Sequence, residues 1–122
     1  MYYERLALEV GATVAGLNVV KPAVIRGSSG VDQKFTFVAS DKEKMFAFDV
    51  CPEVGERDII RSYVKKMDTG ATTFVVCLSG KPKPEALEMA KCYGIDVLGP
   101  KEVGDFFSER IVRQVSAARL VK

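Results

Sequence analysis

Two aspartates near the middle of the chain are the residues whose type and spacing could carry chemistry. Asp32 and Asp49 stand seventeen positions apart in a stretch that otherwise resembles a β-hairpin. Aspartate has poor strand propensity and is costly to bury without a partner, so two of them beside strands indicate a site. Mg²⁺ is typically held by one or two carboxylates together with water and phosphate oxygens. If the two carboxylates converge across the hairpin, the chemistry they predict is metal-assisted cleavage of a phosphodiester.

The hairpin that must position these acids has a clear alternating pattern. Residues 35–39 and 45–51 are predicted to be strands joined by a polar, lysine-rich connection, and a glycine-punctuated turn precedes them at 27–30. Alternation places Asp49 on one face of the second strand, together with Cys51, and the phenylalanines on the other. We expect the phenylalanine face to lie in the core and the opposite face to border an open site.

The remaining segments predict an α/β protein. Apolar spacing predicts helices at residues 2–15, 56–67 and 84–93, and a last helix near the C-terminus. Gly70 should end the second helix, and Pro84 and Gly94 should begin and end the third. Further strands are predicted at 19–25, where Pro22 begins or bends the strand, at 72–78 and at 95–98. The order αβββαβαβα predicts a mixed sheet with helices on both faces. The hairpin strands should be antiparallel and the last two strands parallel to one another.

Composition narrows the function classes. The 122 residues contain no histidine, which excludes histidine general bases and Cys–His nucleophiles. The three cysteines form no CxxC pair, so free thiols in a reducing cytoplasm are expected. The sequence shows no membrane span, signal peptide, internal repeat or linker, and we therefore predict a single cytoplasmic domain over residues 1–122.

Basic residues give two candidate nucleic-acid contacts, although the net charge of +2 argues little by itself. Lys81 and Lys83 flank a proline in the loop before the third helix, while Arg110 and Arg113 belong to a C-terminal segment that lacks acids. A plain solvated surface is the alternative interpretation of both groups.

The order of these features resembles a known family. Glu4 lies in an early helix, the motif G-x-x-G-V-D follows at residues 27–32, and Asp49 arrives on the second hairpin strand. A helix, an apolar strand and the run PEALEMAKCYGIDVL at 84–98 complete the pattern. The chain is similar to the restriction-endonuclease-like superfamily, the PD-(D/E)XK nucleases, and to its Mrr-type branch, over roughly residues 3 to 100.

The resemblance implies roles for individual residues. Asp32 matches the first metal-binding aspartate, Asp49 the acidic position of (D/E)XK, and Glu4 a helix acid that some relatives place at the site. Mg²⁺ or Mn²⁺ would be the cofactor of a functional site. Cys51 falls where the family has its catalytic lysine, and losing such a group costs about 10²- to 10⁴-fold in rate. Lys34 and Lys65 are both open as migrated substitutes.

Three functions follow as hypotheses. The first is a nucleic-acid-associated protein, most simply a DNA-binding one, with a restriction-endonuclease-like fold and a degraded metal site that binds without efficient cleavage. The second is an active Mg²⁺-dependent DNA endonuclease with a migrated lysine, in which case a homodimer is expected because cutting two strands favours two-fold symmetry. The third is a small-molecule binder on a generic α/β sheet. Whether the chain is an enzyme is left open. Purely structural roles are the alternative to a metal site: Asp32 would cap its own turn, and Asp49 would protect an edge strand.

Overall fold

The computed structural model describes residues 2–121, with the side chains of residues 5–112. Eleven elements follow one another in this part of the chain. In order they are α1 (Tyr2–Val14), β1 (Asn18–Val19), β2 (Val24–Arg26), β3 (Asp32–Lys34), β4 (Phe37–Ser40), β5 (Met45–Cys51), α2 (Glu56–Thr69), β6 (Thr72–Cys77), α3 (Pro84–Tyr93), β7 (Asp96–Leu98) and α4 (Pro100–Val121).

Five strands form one mixed sheet in the order β1-β4-β5-β6-β7. The β1–β4 and β4–β5 pairs are antiparallel, whereas β5–β6 and β6–β7 are parallel. The predicted antiparallel hairpin and the predicted parallel strands are therefore confirmed. A parallel pair needs a crossover connection, and α2 and α3 supply the two crossovers.

Helices cover both faces of the sheet. On one face, α1 and α4 pack against the phenylalanines of the hairpin, and Phe48, fully buried, stacks on Phe74 with ring centroids 5.0 Å apart. Burying one such side chain stabilises the fold by about 1.5–3 kcal/mol. On the other face, α2 and α3 pack against β6 through Ile59, Ala86 and Val75. The result is the three-layer α/β arrangement expected from the order of the elements.

Glycine and proline set the ends of the two crossover helices as the sequence predicts. Gly70 and Gly94 follow α2 and α3 with φ of 71° and 67°, and their backbone N–H groups donate to the carbonyls of Lys66 and Ala90. Glycine reaches this left-handed conformation without steric cost. Pro84 stands at the start of α3, where its missing N–H costs nothing.

Residues 24–34 form a separate two-stranded sheet that the sequence did not predict. We call this segment the ribbon: β2 pairs antiparallel with β3, and a turn at residues 27–30 joins them. The predicted strand at 19–25 is therefore wrong in extent, because the chain divides it between β1 and β2 around the cis Lys21–Pro22 peptide bond. The hairpin strand likewise begins at Phe37 rather than Phe35.

No helix in the described part of the chain is long and apolar enough to cross a membrane.

Candidate functional site

Asp49 lies at the centre of a polar cluster between β5 and α2. Its Oδ1 and Oδ2 accept from Lys65 Nζ at 3.2 and 3.3 Å, and its Oδ2 also accepts from the buried hydroxyl of Ser62 at 3.0 Å. Ser62 and Lys65 are three positions apart on α2, so both face the same side of the helix. Lys65, one of the two candidate substitute lysines, is therefore in contact with Asp49.

The Lys65 ammonium has further partners. It donates to the backbone carbonyl of Lys34 at 2.5 Å and lies 4.8 Å from the centre of the Phe35 ring. The Lys65 and Asp49 side chains are 15% and 14% exposed. Because little solvent reaches the pair, removing one partner would leave the charge of the other poorly compensated. We expect this to lower the free energy of unfolding by about 1–3 kcal/mol, a value between those typical of exposed and of fully buried ion pairs.

Cys51 lies on the same face of β5 as Asp49, as alternation predicts. Its thiol is half-buried, and burial raises its pKa to about 11, with further contributions from the Asp58 and Asp49 carboxylates and a hydrogen bond to Asp58. A thiol with this pKa stays neutral at physiological pH, and it offers neither a thiolate nucleophile nor a positive charge. Residue 51 is thus a protonated thiol on the strand face that carries Asp49.

The structure does not place Asp32 across the hairpin from Asp49. Asp32 belongs to the ribbon, where it lies opposite Arg26 and pairs with its guanidinium at 3.5 Å on an exposed surface. Thr36 lies beside the Asp49 end of β5: its N–H donates to the Phe48 carbonyl at 3.1 Å, and its hydroxyl accepts from the Val50 N–H at 3.1 Å. The expected cross-hairpin position of Asp32 is therefore wrong, because the ribbon diverts the chain before β4 begins.

The metal hypothesis depends on carboxylates that converge. Among the described residues, no group of three or more aspartate, glutamate or cysteine side chains is placed to hold a metal ion. Asp49 already has an ammonium partner, and Asp32 has a different one. A divalent ion held by Asp32 and Asp49 would have to compete with these two ion pairs, and the metal site stays a prediction. The side chain of Glu4, the third expected ligand, lies outside the described side chains.

Asp68 forms a second polar cluster, which the sequence did not reveal. Its carboxylate accepts from the Ser29 N–H at 2.8 Å, the Ser29 hydroxyl at 2.7 Å, the Gln33 amide at 2.9 Å and the Ser28 hydroxyl at 3.3 Å. These donors, Gln33 first, lower the pKa of Asp68 to about 2. A Cβ on Gly27 would lie 1.8 Å from Asp68 Oδ2, so only glycine allows this contact. Asp68 thus holds the turn of the ribbon against α2.

Of the basic residues expected to contact nucleic acid, the two lysines are exposed to solvent, whereas Arg110 is engaged within the protein. Lys81 and Lys83 are exposed in the loop before α3. Arg110 instead donates to Asp41 at 3.2 Å and lies over the rings of Phe46 and Phe106, at 4.7 and 5.5 Å from their centres. With its guanidinium engaged inside the protein, Arg110 has little left to offer a phosphate. The side chain of Arg113 lies outside the described side chains.

The fold and this cluster define a class: a mixed α/β protein whose hairpin carries a carboxylate neutralised by a helix lysine. No protein-family model and no curated protein matches the sequence. The fold is similar to the crystal structure of a protein of unknown function, AF1548, with a TM-score of 0.60 and 17% sequence identity. The match covers 78% of this chain and 57% of that protein, so the chain spans little more than half its length. At this identity the likeness shows the fold alone.

Proposed function

We propose that this chain is a nucleic-acid-associated protein, most simply a DNA-binding one, with a restriction-endonuclease-like fold and a degraded nuclease site that binds without efficient cleavage. The observation that carries the proposal is the state of Asp49, which is ion-paired to Lys65 while residue 51 is a neutral thiol. A working site needs free carboxylate oxygens for a metal and a positive charge for the scissile phosphate. Here one lysine neutralises the acid that should hold the metal.

A second candidate function also has a specific observation in its favour. Lys65 Nζ lies 3.2 Å from Asp49 Oδ1, where a lysine that had moved from strand to helix would have to be. If Lys65 serves that purpose, the protein is an active Mg²⁺- or Mn²⁺-dependent DNA endonuclease, and a homodimer would suit double-strand cutting. The first proposal is preferred because the two carboxylates are already paired with different cations, Asp32 with Arg26 on the ribbon and Asp49 with Lys65.

Binding and cleavage measured side by side test the proposal. Fluorescence anisotropy with labelled single- and double-stranded oligonucleotides gives affinity across a salt series, and supercoiled plasmid with Mg²⁺ or Mn²⁺ reports cleavage. We expect salt-sensitive binding and no cleavage by the wild type. Cleavage that Asp49→Ala and Lys65→Ala abolish, but Lys42→Ala at the exposed hairpin tip does not, would establish the endonuclease instead. Neither binding nor cleavage would leave the small-molecule binder as the remaining hypothesis.

The three cysteines are free thiols in the structure. A reducing compartment such as the cytoplasm suits a protein with one exposed and two shielded thiols, and we propose that location for it.

A further inference from the structure

A cleft of about 640 Å³ lies between α1 and the base of the ribbon. Its charged lining residues are Arg5 and Glu9 on α1, Lys21 in the connection before the ribbon, and Lys34 at the end of β3. The described lining therefore carries three positive charges against one negative charge. The cleft thus concentrates a surplus of two positive charges, as much as the net charge of the whole chain.

The surplus comes from two different elements of the fold, α1 and β3. Glu9 pairs with Lys21 at 2.5 Å, so these two charges largely satisfy one another. Arg5 on α1 and Lys34 on the ribbon remain to attract an anion, and both residues are exposed. Two cations that line one concave surface from different elements suit a chain of phosphates better than a single ion, because consecutive phosphates can contact both.

The cleft also adjoins the Asp49 cluster. Lys34, Phe35 and Thr36 line the cleft, and the same three residues contact the cluster or its strand from the other side. The Lys34 carbonyl and the Phe35 ring contact Lys65, and the Thr36 hydroxyl accepts from the Val50 N–H. A strand lying in the cleft would therefore pass beside the degraded site.

We propose that this cleft binds the sugar–phosphate backbone of a nucleic-acid strand, with Arg5 and Lys34 as the phosphate contacts. The inference rests on the proposed function and names its binding surface. It replaces Lys81 and Lys83 as the main contact, because Arg5 and Lys34 line a cleft, whereas Lys81 and Lys83 are exposed side chains of the loop before α3.

The test compares four proteins by fluorescence anisotropy with a labelled oligonucleotide, as a single strand and as a duplex, from low to high salt. Beside the wild type stand Arg5→Gln/Lys34→Gln in the cleft, Lys81→Gln/Lys83→Gln in the loop, and Lys42→Gln/Lys44→Gln at the exposed hairpin tip. Each variant loses two positive charges, so global charge is matched. Circular dichroism melts confirm that each variant folds.

We expect the cleft variant to lose affinity by about 10- to 100-fold at low salt, and its slope of log K against log[salt] to fall by about 1.4 for a single strand, because two phosphate contacts are removed. The loop and hairpin-tip variants should match the wild type. Inorganic phosphate should displace the oligonucleotide no better than chloride at the same ionic strength, because a single phosphate ion does not reproduce the two contacts of a phosphate chain.

Three outcomes would overturn the inference. If the cleft variant binds like the wild type while the loop variant fails, the cleft is wrong and the proposed function stands. If all three variants weaken binding equally, only diffuse charge is at work, and the cleft is again wrong. If the wild type binds no oligonucleotide at low salt, the proposed function itself fails, and the cleft assignment fails with it.

Discussion

At the scale of single residues, the ion pair of Asp49 and Lys65 decides between a structural role and a catalytic one. We expect Asp49→Asn and Lys65→Met each to lower the free energy of unfolding by about 1–3 kcal/mol, since each leaves a shielded partner uncompensated. The double variant should cost less than the sum of the two, because the unpaired charge is gone. Urea unfolding of the four proteins measures the coupling.

The exposed pair of Arg26 and Asp32 is the matched control for this cycle. Its side chains are 73% and 58% exposed, so solvent screens the charges, and its coupling should stay below about 0.5 kcal/mol. Equal coupling in both pairs would contradict the view that Asp49 and Lys65 form a shielded, stabilising contact.

The three thiols should differ in reactivity. Alkylation requires the thiolate, and Cys51, with its pKa raised to about 11 mainly by burial, holds almost none at pH 8. We expect iodoacetamide to label the exposed Cys92 first and Cys51 only as the pH is raised, while the fully buried Cys77 stays unmodified as long as the protein is folded. Peptide mass spectrometry over a pH series checks the order, with Cys92→Ser as the variant that removes the fast site. Rapid labelling of Cys51 at pH 7 would overturn the assignment of a neutral thiol.

A lysine introduced at position 51 tests the proposal of a degraded nuclease site. The Asp58 and Asp49 carboxylates both act on the Cys51 thiol, so the ammonium introduced by Cys51→Lys would find acidic neighbours and the variant should fold. We expect no divalent-dependent cleavage of plasmid, because Asp32 remains on the ribbon with Arg26. Cleavage by this variant, absent from Cys51→Lys/Asp49→Ala, would show that a lysine at position 51 is sufficient to give the proposed site nuclease activity.

At the scale of elements, two helix glycines make a paired test of the α1–α4 contact. A Cβ on Gly11 would approach the Phe107 ring to 2.7 Å, whereas a Cβ on Gly104 meets nothing within 4 Å. Gly104→Ala should stabilise the protein by roughly 0.5–1 kcal/mol through helix propensity. Gly11→Ala gains the same propensity but must displace a core ring, so we expect net destabilisation. Thermal melts of the two variants should move in opposite directions; an equal rise would mean that α4 does not pack on Gly11.

Local sequence rules predicted the elements they govern. The strand at Met45–Cys51, the alternation of its two faces and the ends of α2 and α3 at Gly70 and Gly94 all follow from short-range chemistry, and the structure confirms them.

Local sequence rules did not predict which face of α1 is buried. Two apolar rows run along this helix, and the row with regular four-residue spacing is the exposed one. The exposed row is Leu6, Val10 and Val14, while the buried one is Leu8, Ala12 and Ala15. Alanines occupy the inner row because the sheet and α4 approach closely there, and periodicity cannot tell which row meets a neighbour that lies far away in the sequence.

The candidate site was predicted in part, for a related reason. Strand parity correctly placed Asp49 and Cys51 on one face, and Lys65 was one of the two candidate lysines. The position of Asp32 depends instead on the ribbon, and the ribbon is held by Asp68, which lies 39 residues after Ser29. Contacts over such a distance leave no periodic pattern in the sequence, so the divergence of Asp32 from Asp49 could not be anticipated.

At the scale of the whole molecule, the hydrogen bonds from Ser28, Ser29 and Gln33 to Asp68, which we call the clasp, should make the free energy of unfolding depend on pH in the acid range. The pKa of Asp68 falls from 3.8 to about 2 in the folded protein, chiefly through the Gln33 and Ser29 hydrogen bonds. A depressed folded-state pKa means that the unfolded chain binds more protons between these values. The clasp's stabilisation is therefore complete above about pH 4 and is lost as the pH falls towards 2.

The pKa of Asp41 is also lowered in the folded protein, so its contribution to the pH dependence of stability must be separated from that of Asp68. The Glu43 and Lys44 N–H groups lower the Asp41 pKa first, and Arg110 adds to the effect. We therefore expect the urea midpoint of the wild type to fall between pH 4 and pH 2. The Asp68→Asn and Asp41→Asn variants should each lose part of this pH dependence, and the double variant should lose most of it.

Asp68→Asn should also speed hydrogen exchange in residues 24–34 at neutral pH while leaving β5 and β6 protected, because the clasp joins the ribbon to α2 and not the sheet to its helices. An unchanged pH slope in Asp68→Asn, or exchange that rises equally in β5, would contradict a clasp that holds the ribbon alone.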